Sequence, residues 1–448
     1  MRLAAALCLL PGAALACALP PSVVLTLPTG YYMAGAAATV AATGLVLAAA
    51  HRLPALRAVT LWERRVLLPV TLTSCLSFLC LAGLVAVGFA GSTDPMHNLL
   101  TLVFWAGVWV ALPLACLVFG NLWRALNPWT GPARLIRLAF GITGRVGLWR
   151  RGYWPAVAGM LGFTWFTLVS LSPEDPRVLA QVVLVYWLVI LVCAVADGED
   201  WLERGEFLTV YLTMLSRISP FWLEIVGVRA RLRAGWPGTQ VLRLAPLPPS
   251  GMAFVTLALA GLTFDGLAGT FWWLDLIGQN PLEFEGRSAV QGVNTAGLLA
   301  VWALTAGTIL GAIRAGSALS GRPLPAGPVM LSFLAIAAGY HGAHYLVTLL
   351  TTGQYAVAAL NDPLFRGDSL LGLPPFWVGM GFLADPAAMT AVWNVQFAAI
   401  LLAHLLAVVL ALHLTGRDLR AVAHLPLTAL MTGYTVLGLW LLSSPTGA

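Results

Sequence analysis

The residues best suited to chemistry lie in one apolar stretch, residues 328–363, with the sequence PVMLSFLAIAAGYHGAHYLVTLLTTGQYAVAALNDP. Its apolar part is about 25 residues long, which is enough to cross a lipid bilayer. Within it, His341 and His344 are three residues apart and therefore share one face of a helix. Ionisable side chains at membrane depth are costly and mark functional sites by default. This stretch is therefore the predicted centre of function.

Two further ionisable residues are expected at a similar depth. His404 lies near the middle of the apolar run VWNVQFAAILLAHLLAVVLALHL, and Asp265 lies in a Phe-Asp-Gly segment of another apolar run. Three imidazoles and a carboxylate form a ligand set for Zn, Cu or Fe, and two imidazoles could instead bind haem. The same groups could relay protons, or could be buried histidines that are hydrogen-bonded to polar neighbours. The predicted metal ligands are His341, His344, His404 and Asp265, and the predicted substrate-binding neighbours are Tyr340, Tyr345 and Asn294.

The elements that position these residues must be membrane-spanning helices. Of 448 residues, 59% are hydrophobic and only 9% are charged, which excludes a soluble domain and a disordered chain. Arginines in short loops account for the net charge of +6, and no nucleic-acid-binding module is visible. The chain has no lysine, which excludes Schiff-base chemistry, and the nucleotide-binding and hydrolase motifs of soluble enzymes are missing. The predicted fold class is an all-α polytopic membrane protein.

Residues 1–18, MRLAAALCLLPGAALACA, have the form of a cleavable signal peptide, with one arginine, a short apolar core and small residues at the end. Ten apolar segments follow that are long enough to be spans. Their predicted bounds are 30–50, 66–90, 98–119, 153–172, 178–196, 250–273, 290–313, 328–352, 390–412 and 425–443.

The arginines alternate strictly between the predicted loops. Of the 24, 20 lie in loops 51–65, 120–152, 197–249, 314–327 and 416–424, whereas the alternate loops hold Arg177, Arg287 and Arg366. Arginine-rich loops stay in the cytoplasm. The pattern predicts an even number of spans, with the mature N-terminus and the C-terminus both outside. The lipid bilayer is the predicted partner, and a second membrane or periplasmic protein is an open alternative.

Two segments that lie about half the chain apart resemble each other. GNLWRALNP at 120–128 and GQYAVAALNDP at 353–363 both have a glycine, a carboxamide, Ala-Leu-Asn and a proline. With five spans in each half, the second half must enter the membrane inverted, as in many secondary transporters. The predicted halves are residues 19–240 and 241–448, with the site between them.

The segment DGEDWLERGEFLTVYL contains Glu199, Glu203 and Glu206 at spacings of four and three residues. If the segment is one helix, the three carboxylates share a face. The spacing predicts a solvated helix face, with a cation site or a partner-protein contact as alternatives.

Five stretches carry a family resemblance: YHGAHYLVTLLTTGQYAVAALNDP, GNLWRALNPW, RGEFLTVYLTMLSRISP, TFDGLAGTFWW and LMTGYTVLGLWLLSSP. Over most of the mature chain, the sequence resembles a family of bacterial multi-pass membrane proteins labelled fenitrothion hydrolase-like. The resemblance implies organophosphate ester hydrolysis in a bacterial inner membrane. Under that reading, His341, His344, His404 and Asp265 would bind a metal whose bound water becomes the nucleophile.

Two functions of different classes follow from the sequence. The favoured one is a transporter-like protein that handles a cation or small molecule at a midplane His/Asp site, and the alternative is a membrane-embedded, metal-dependent hydrolase. A structural or haem-bearing subunit of a larger membrane complex is a third interpretation.

Overall fold

The structure is a computed structural model that describes residues 29–50, 53–65, 68–283, 286–374, 377–416, 419 and 421–445. The predicted signal peptide lies outside these residues. The α-helices are α1 (Thr29–Ala49), α2 (Val70–Ala90), α3 (Leu99–Leu102), α4 (Leu112–Phe119), α5 (Trp123–Leu126), α6 (Thr130–Ala139), α7 (Trp154–Leu168), α8 (Pro176–Asp197), α9 (Leu202–Gly205), α10 (Phe207–Ser216), α11 (Pro249–Ala268), α12 (Phe271–Leu276), α13 (Arg287–Ser320), α14 (Ala326–His344), α15 (Leu346–Asn361), α16 (Pro386–Thr415) and α17 (Leu425–Ser443). A π-helix, Val103–Ala111, joins α3 to α4, and short 3₁₀ turns occupy Pro95–His97, Leu148–Arg151, Glu199–Trp201, Val241–Arg243, Gly381–Ala384 and Ala421–His424.

Within the described residues, nine helices are long and apolar enough to cross a membrane. They are α1, α2, the continuous helix Leu99–Phe119, α8, α11, α13, α14, α16 and the helix Ala421–Ser443. Helices are expected here because a segment in lipid must satisfy its own backbone hydrogen bonds. The multi-span helical prediction is confirmed at this level.

The segment predicted as a tenth span, 153–172, forms only the 15-residue helix α7. That is about 22 Å of helix, against about 30 Å of hydrocarbon. Its two ends nevertheless contact the starts of two consecutive spans. The Tyr153 amide donates to Ser250 at the start of α11, and Arg287 at the start of α13 donates to the carbonyl of Thr167. α7 therefore packs along α11 and also contacts α13.

The predicted span 328–352 is wrong as a single helix. α14 ends at His344, and α15 begins at Leu346 after a break at Tyr345, whose φ and ψ are −93° and 7°. α15 then packs against α3 and the π-helix. This break was not predictable from hydropathy, because both sides of it are equally apolar.

A small antiparallel sheet was not expected. β1 (Ala58–Arg65), β2 (Phe221–Val226) and β3 (Arg229–Gly235) are ordered β1-β3-β2. Glu63 accepts hydrogen bonds from Arg229 and Arg231, and these two guanidinium groups lower the pKa of its carboxyl. The sheet joins two of the arginine-rich loops and therefore puts both of them on one side of the helices.

The helix that carries the two adjacent histidines is also the most buried of the candidate spans. α14 packs mainly against α16 and also contacts α11. At Gly339 the approach to α16 is so close that a Cβ would lie 2.3 Å from the Ala403 Cβ. Small residues allow such close helix contacts, and here they hold the polar end of α14 inside the bundle.

The two segments behind the predicted inverted repeat differ locally. Gly120 ends α4 with a φ of 81°, whereas Gly353 lies inside α15. The two-half organisation stays a prediction.

Candidate functional site

A hydrogen-bonded group of side chains joins α11 to the end of α14. Asp265 Oδ2 accepts the Tyr345 hydroxyl at 2.5 Å and lies 3.1 Å from His344 Nε2. The Asp265 and His344 side chains are 24% and 21% exposed. A carboxylate at such a position is costly unless it is paired and hydrogen-bonded. The structure therefore brings together two of the predicted ligands, Asp265 and His344. Tyr345 is the second hydrogen-bond partner of the Asp265 carboxylate.

His341 lies one turn earlier on the same face of α14. It is fully buried, and its Nδ1 shares a hydrogen bond of 2.9 Å with the Tyr211 hydroxyl of α10. The rings of His341 and Tyr345 are 4.8 Å apart, so this pair lies directly beside the first group. We call these five residues, Asp265, His344, Tyr345, His341 and Tyr211, the polar cluster.

Trp109 covers the polar cluster from the π-helix. Its ring is 5.4 Å from that of His341 and stacks at 5.4 Å on that of Tyr211. Pro113 follows the π-helix, and its missing N–H and its bulky ring disturb regular α-helical bonding toward Trp109, four residues earlier. π-helical segments are rare and occur frequently at functional sites. Sequence reasoning missed Trp109, and Pro113 was the one local signal of irregular geometry.

The short helix α10 positions Tyr211, and Glu206 fixes its start. The predicted single helix face with Glu199, Glu203 and Glu206 is wrong, because a 3₁₀ turn, α9 and α10 follow one another with breaks. Glu206 is fully buried, accepts the Thr209 amide at 2.6 Å and hydroxyl at 2.5 Å, and accepts the Tyr186 hydroxyl at 2.6 Å. It caps α10 rather than facing solvent. The signal was a glutamate directly before an apolar run, the position of an N-cap.

Of the other predicted site residues, His404 and Asn294 bond partners outside the polar cluster, whereas Tyr340 contacts it. His404 is buried in α16, where its Nδ1 donates to the Ile400 carbonyl at 2.8 Å. Asn294 accepts the Trp273 indole N–H at 2.9 Å and holds that ring in place. The Tyr340 ring stacks on the His344 ring, with the ring centres 5.6 Å apart. The Tyr340 hydroxyl lies so close to Gly266 that a Cβ at this glycine would be 2.4 Å from the hydroxyl oxygen.

The polar cluster places one carboxylate among side chains that donate hydrogen bonds to it. In the described part of the chain, no group of three or more His, Cys, Asp or Glu side chains could hold a metal ion. Asp265 is a single carboxylate that faces two hydrogen-bond donors, the Tyr345 hydroxyl and the His344 ring. Haem binding by two imidazoles stays a prediction.

An apolar pocket lies on the other side of Trp109. Its volume is about 690 Å³, within the range of sites for small molecules. α2, the π-helix, α7, α8 and α10 line it. Aromatic side chains dominate the lining, among them Phe104, Trp109, Trp129, Phe163, Trp187 and Phe207. Trp109 therefore belongs both to the pocket wall and to the cover of the polar cluster.

Comparisons with protein-family models, with curated proteins and with solved structures found no match. The resemblance to the fenitrothion hydrolase-like family therefore stays a prediction.

Proposed function

We propose that this protein is a transporter-like integral membrane protein that takes up and releases a proton at Asp265, His344 and Tyr345. The observation that carries the proposal is the Asp265 carboxylate, held between the Tyr345 hydroxyl and the His344 ring inside the helix bundle. Carboxylates and histidines that face the interior of a membrane bundle are typical of proton relays and ion pathways.

Two features favour a proton over a metal cation. Hard divalent cations such as Ca²⁺ take about six to eight oxygen ligands, whereas Asp265 offers one carboxylate with donors on both sides. Both donors, the hydroxyl and the imidazole, can exchange protons with that carboxylate. The apolar pocket behind Trp109 is the candidate site for a transported small molecule, because its wall touches the polar cluster.

We also propose that the sheet side faces the cytoplasm of a bacterial inner membrane. Most arginines of the chain lie in the loops that this orientation puts inside, and the sheet joins two of these loops. Both termini of the mature chain would then lie outside.

Proton uptake by reconstituted protein tests the function. Vesicles that contain an entrapped pH indicator are given an inside-negative potassium diffusion potential, and acidification is followed for the wild type and for Asp265→Asn. Asn keeps the shape of Asp but binds no proton, so we expect uptake to fall to the level of protein-free vesicles. Asp275→Asn, at an exposed position on the neighbouring helix α12, is the matched control and should leave uptake unchanged.

An infrared pH titration supplies a readout that does not depend on transport. The carbonyl band of a protonated carboxylic acid should appear on acidification in the wild type and be diminished in Asp265→Asn. The proposal is contradicted if wild-type vesicles take up no more protons than protein-free ones, or if the titration is the same in both proteins.

Metal-dependent ester hydrolysis ranks second, because only the family resemblance supports it. It would need a third ligand beside Asp265 and His344. Elemental analysis of pure protein with His341→Ala and His404→Ala tests it directly. Stoichiometric metal that both substitutions remove would favour hydrolysis over proton transfer.

A further inference from the structure

A small cavity lies behind Tyr340, between α11, α13, α14, α16 and α17. Its volume is about 30 Å³, and a water molecule needs about 10–15 Å³ of such space. Its polar lining comes from Thr263, Thr305, Tyr340, His404 and Tyr434, and Gly438 forms part of the wall.

Two side chains of the lining have an unused polar atom. Tyr340 and His404 are 6% and 1% exposed, and the Tyr340 hydroxyl and His404 Nε2 have no hydrogen-bond partner in the described part of the chain. Their neighbours are satisfied, since Thr263 donates to the Leu259 carbonyl and Tyr434 bonds Thr308. A buried polar atom without a partner is rare and costly.

The two unused atoms are complementary. His404 Nδ1 carries the proton that is donated to Ile400, so Nε2 of the neutral ring is an acceptor. The Tyr340 hydroxyl is a donor. A water between them would accept from one and donate to the other, and buried waters typically satisfy groups of this kind.

We propose that this cavity is the binding site of an ordered water molecule that links Tyr340 to His404. The Tyr340 ring stacks on His344, so the water extends the polar region from Asp265 toward α16. The water site itself is independent of the proposed function. Its role in proton movement rests on that function and needs a separate measurement.

The first test fills the cavity from its wall. A Cβ at Gly438 would lie 3.4 Å from Tyr340 Cδ2, which is ordinary contact, so Gly438→Ala adds a methyl group without a clash. Alanine is the better helix former, so the variant should raise the Tm if no water is lost. If the methyl group displaces a bridging water, two polar atoms lose their partner and the Tm should fall. Gly433→Ala, exposed on the same helix with open space around it, is the matched control and should raise the Tm.

The second test removes the donor. Deleting an unpaired buried hydroxyl is neutral or stabilising, whereas deleting a hydrogen-bonded one is destabilising. We expect Tyr340→Phe to lower the Tm by about 2–4 °C. The water site is overturned if Gly438→Ala stabilises as much as Gly433→Ala, or if Tyr340→Phe leaves the Tm unchanged or higher.

Proton uptake in the vesicle assay tests the role of the water. We expect Tyr340→Phe to slow uptake several-fold while Asp275→Asn does not. If Asp265→Asn abolishes uptake and Tyr340→Phe has no effect on it, the water has no part in the proton route, although the proposed function stands. If the wild type takes up no protons, the proposed function fails, and the two stability tests still decide whether the water is bound.

Discussion

Asp265 is a carboxylate inside the helix bundle, and two side chains, Tyr345 and His344, form hydrogen bonds with it. We expect these two neighbours to contribute to the site in different ways. Tyr345 makes the shorter hydrogen bond to Asp265, and His344 supplies an imidazole, which can carry a proton on either ring nitrogen. The Tyr345 hydroxyl is therefore expected to contribute mainly to the stability of the site, and His344 to its proton exchange.

Tyr345→Phe should lower the free energy of unfolding by about 1.5–3 kcal/mol, because hydrogen bonds to charged groups contribute about that much. The change removes only the hydroxyl that Asp265 accepts. Thermal unfolding in detergent measures the effect. Tyr31→Phe, at a position that is 83% exposed, should unfold like the wild type, and an equal Tm for both variants would refute the prediction.

In the structure Asp265 contacts His344, and His341 lies beside them, whereas His404 bonds the Ile400 carbonyl of its own helix. Position along an apolar run fixes how deep a residue lies. The direction in which it points depends on how helices rotate against each other, and that rotation depends on close contacts such as Gly339 against Ala403. A uniformly apolar sequence does not encode these contacts visibly, so depth was predictable and direction was not.

At the scale of elements, the start of α10 determines where Tyr211 lies. Glu206→Ala removes the N-cap and leaves the Tyr186 hydroxyl without its acceptor. A lost cap costs about 1 kcal/mol and an unsatisfied buried donor about 1–3 kcal/mol, so we expect a total loss of about 2–4 kcal/mol in unfolding free energy. Glu203→Ala, an exposed glutamate three residues earlier, is the control, and chemical denaturation of both variants provides the comparison.

The contact between α14 and α16 gives a second prediction at this scale. Gly339→Ala would put a Cβ 2.3 Å from the Ala403 Cβ, and such overpacking costs about 1–3 kcal/mol. Ala403→Gly in the same chain should restore part of the lost Tm, because the Ala399 carbonyl remains close. Gly307→Ala, in open space on α13, should not destabilise. If the Gly339→Ala protein is as stable as the wild type, α14 and α16 can move apart at little cost, and the prediction is wrong.

Element types were predictable from apolar length, whereas breaks within apolar runs were not. The run that contains Tyr345 continues on both sides of the break, and the π-helix lies in a run of similar hydrophobicity. In both places tertiary contacts decide the local conformation: the bond from Tyr345 to Asp265, and the packing of Trp109 on Tyr211. The sheet was missed because its strands lie in loops assigned by charge alone.

For the molecule as a whole, the proposed orientation predicts which side of the membrane each end of the bundle faces. In a chain without its native cysteines, single cysteines at Val59 and Val228 report the sheet side, and cysteines at Leu282 and Leu370 report the other side. All four positions are at least 60% exposed. An impermeant maleimide added to intact cells should label Leu282→Cys and Leu370→Cys, and should label the other two only after lysis. The reverse pattern would show that the sheet side faces outward. Labelling of all four cysteines in intact cells would show that the two ends of the bundle are not on opposite sides of the membrane.

Trp109 has one further consequence, which is practical. The indole is a chromophore whose emission shifts with the polarity around it, and this one touches an apolar pocket on one side and the ring of His341 on the other. In a chain whose other tryptophans are replaced by phenylalanine, one optical signal would therefore report pocket occupancy from a ring that also contacts the polar cluster, without any attached dye.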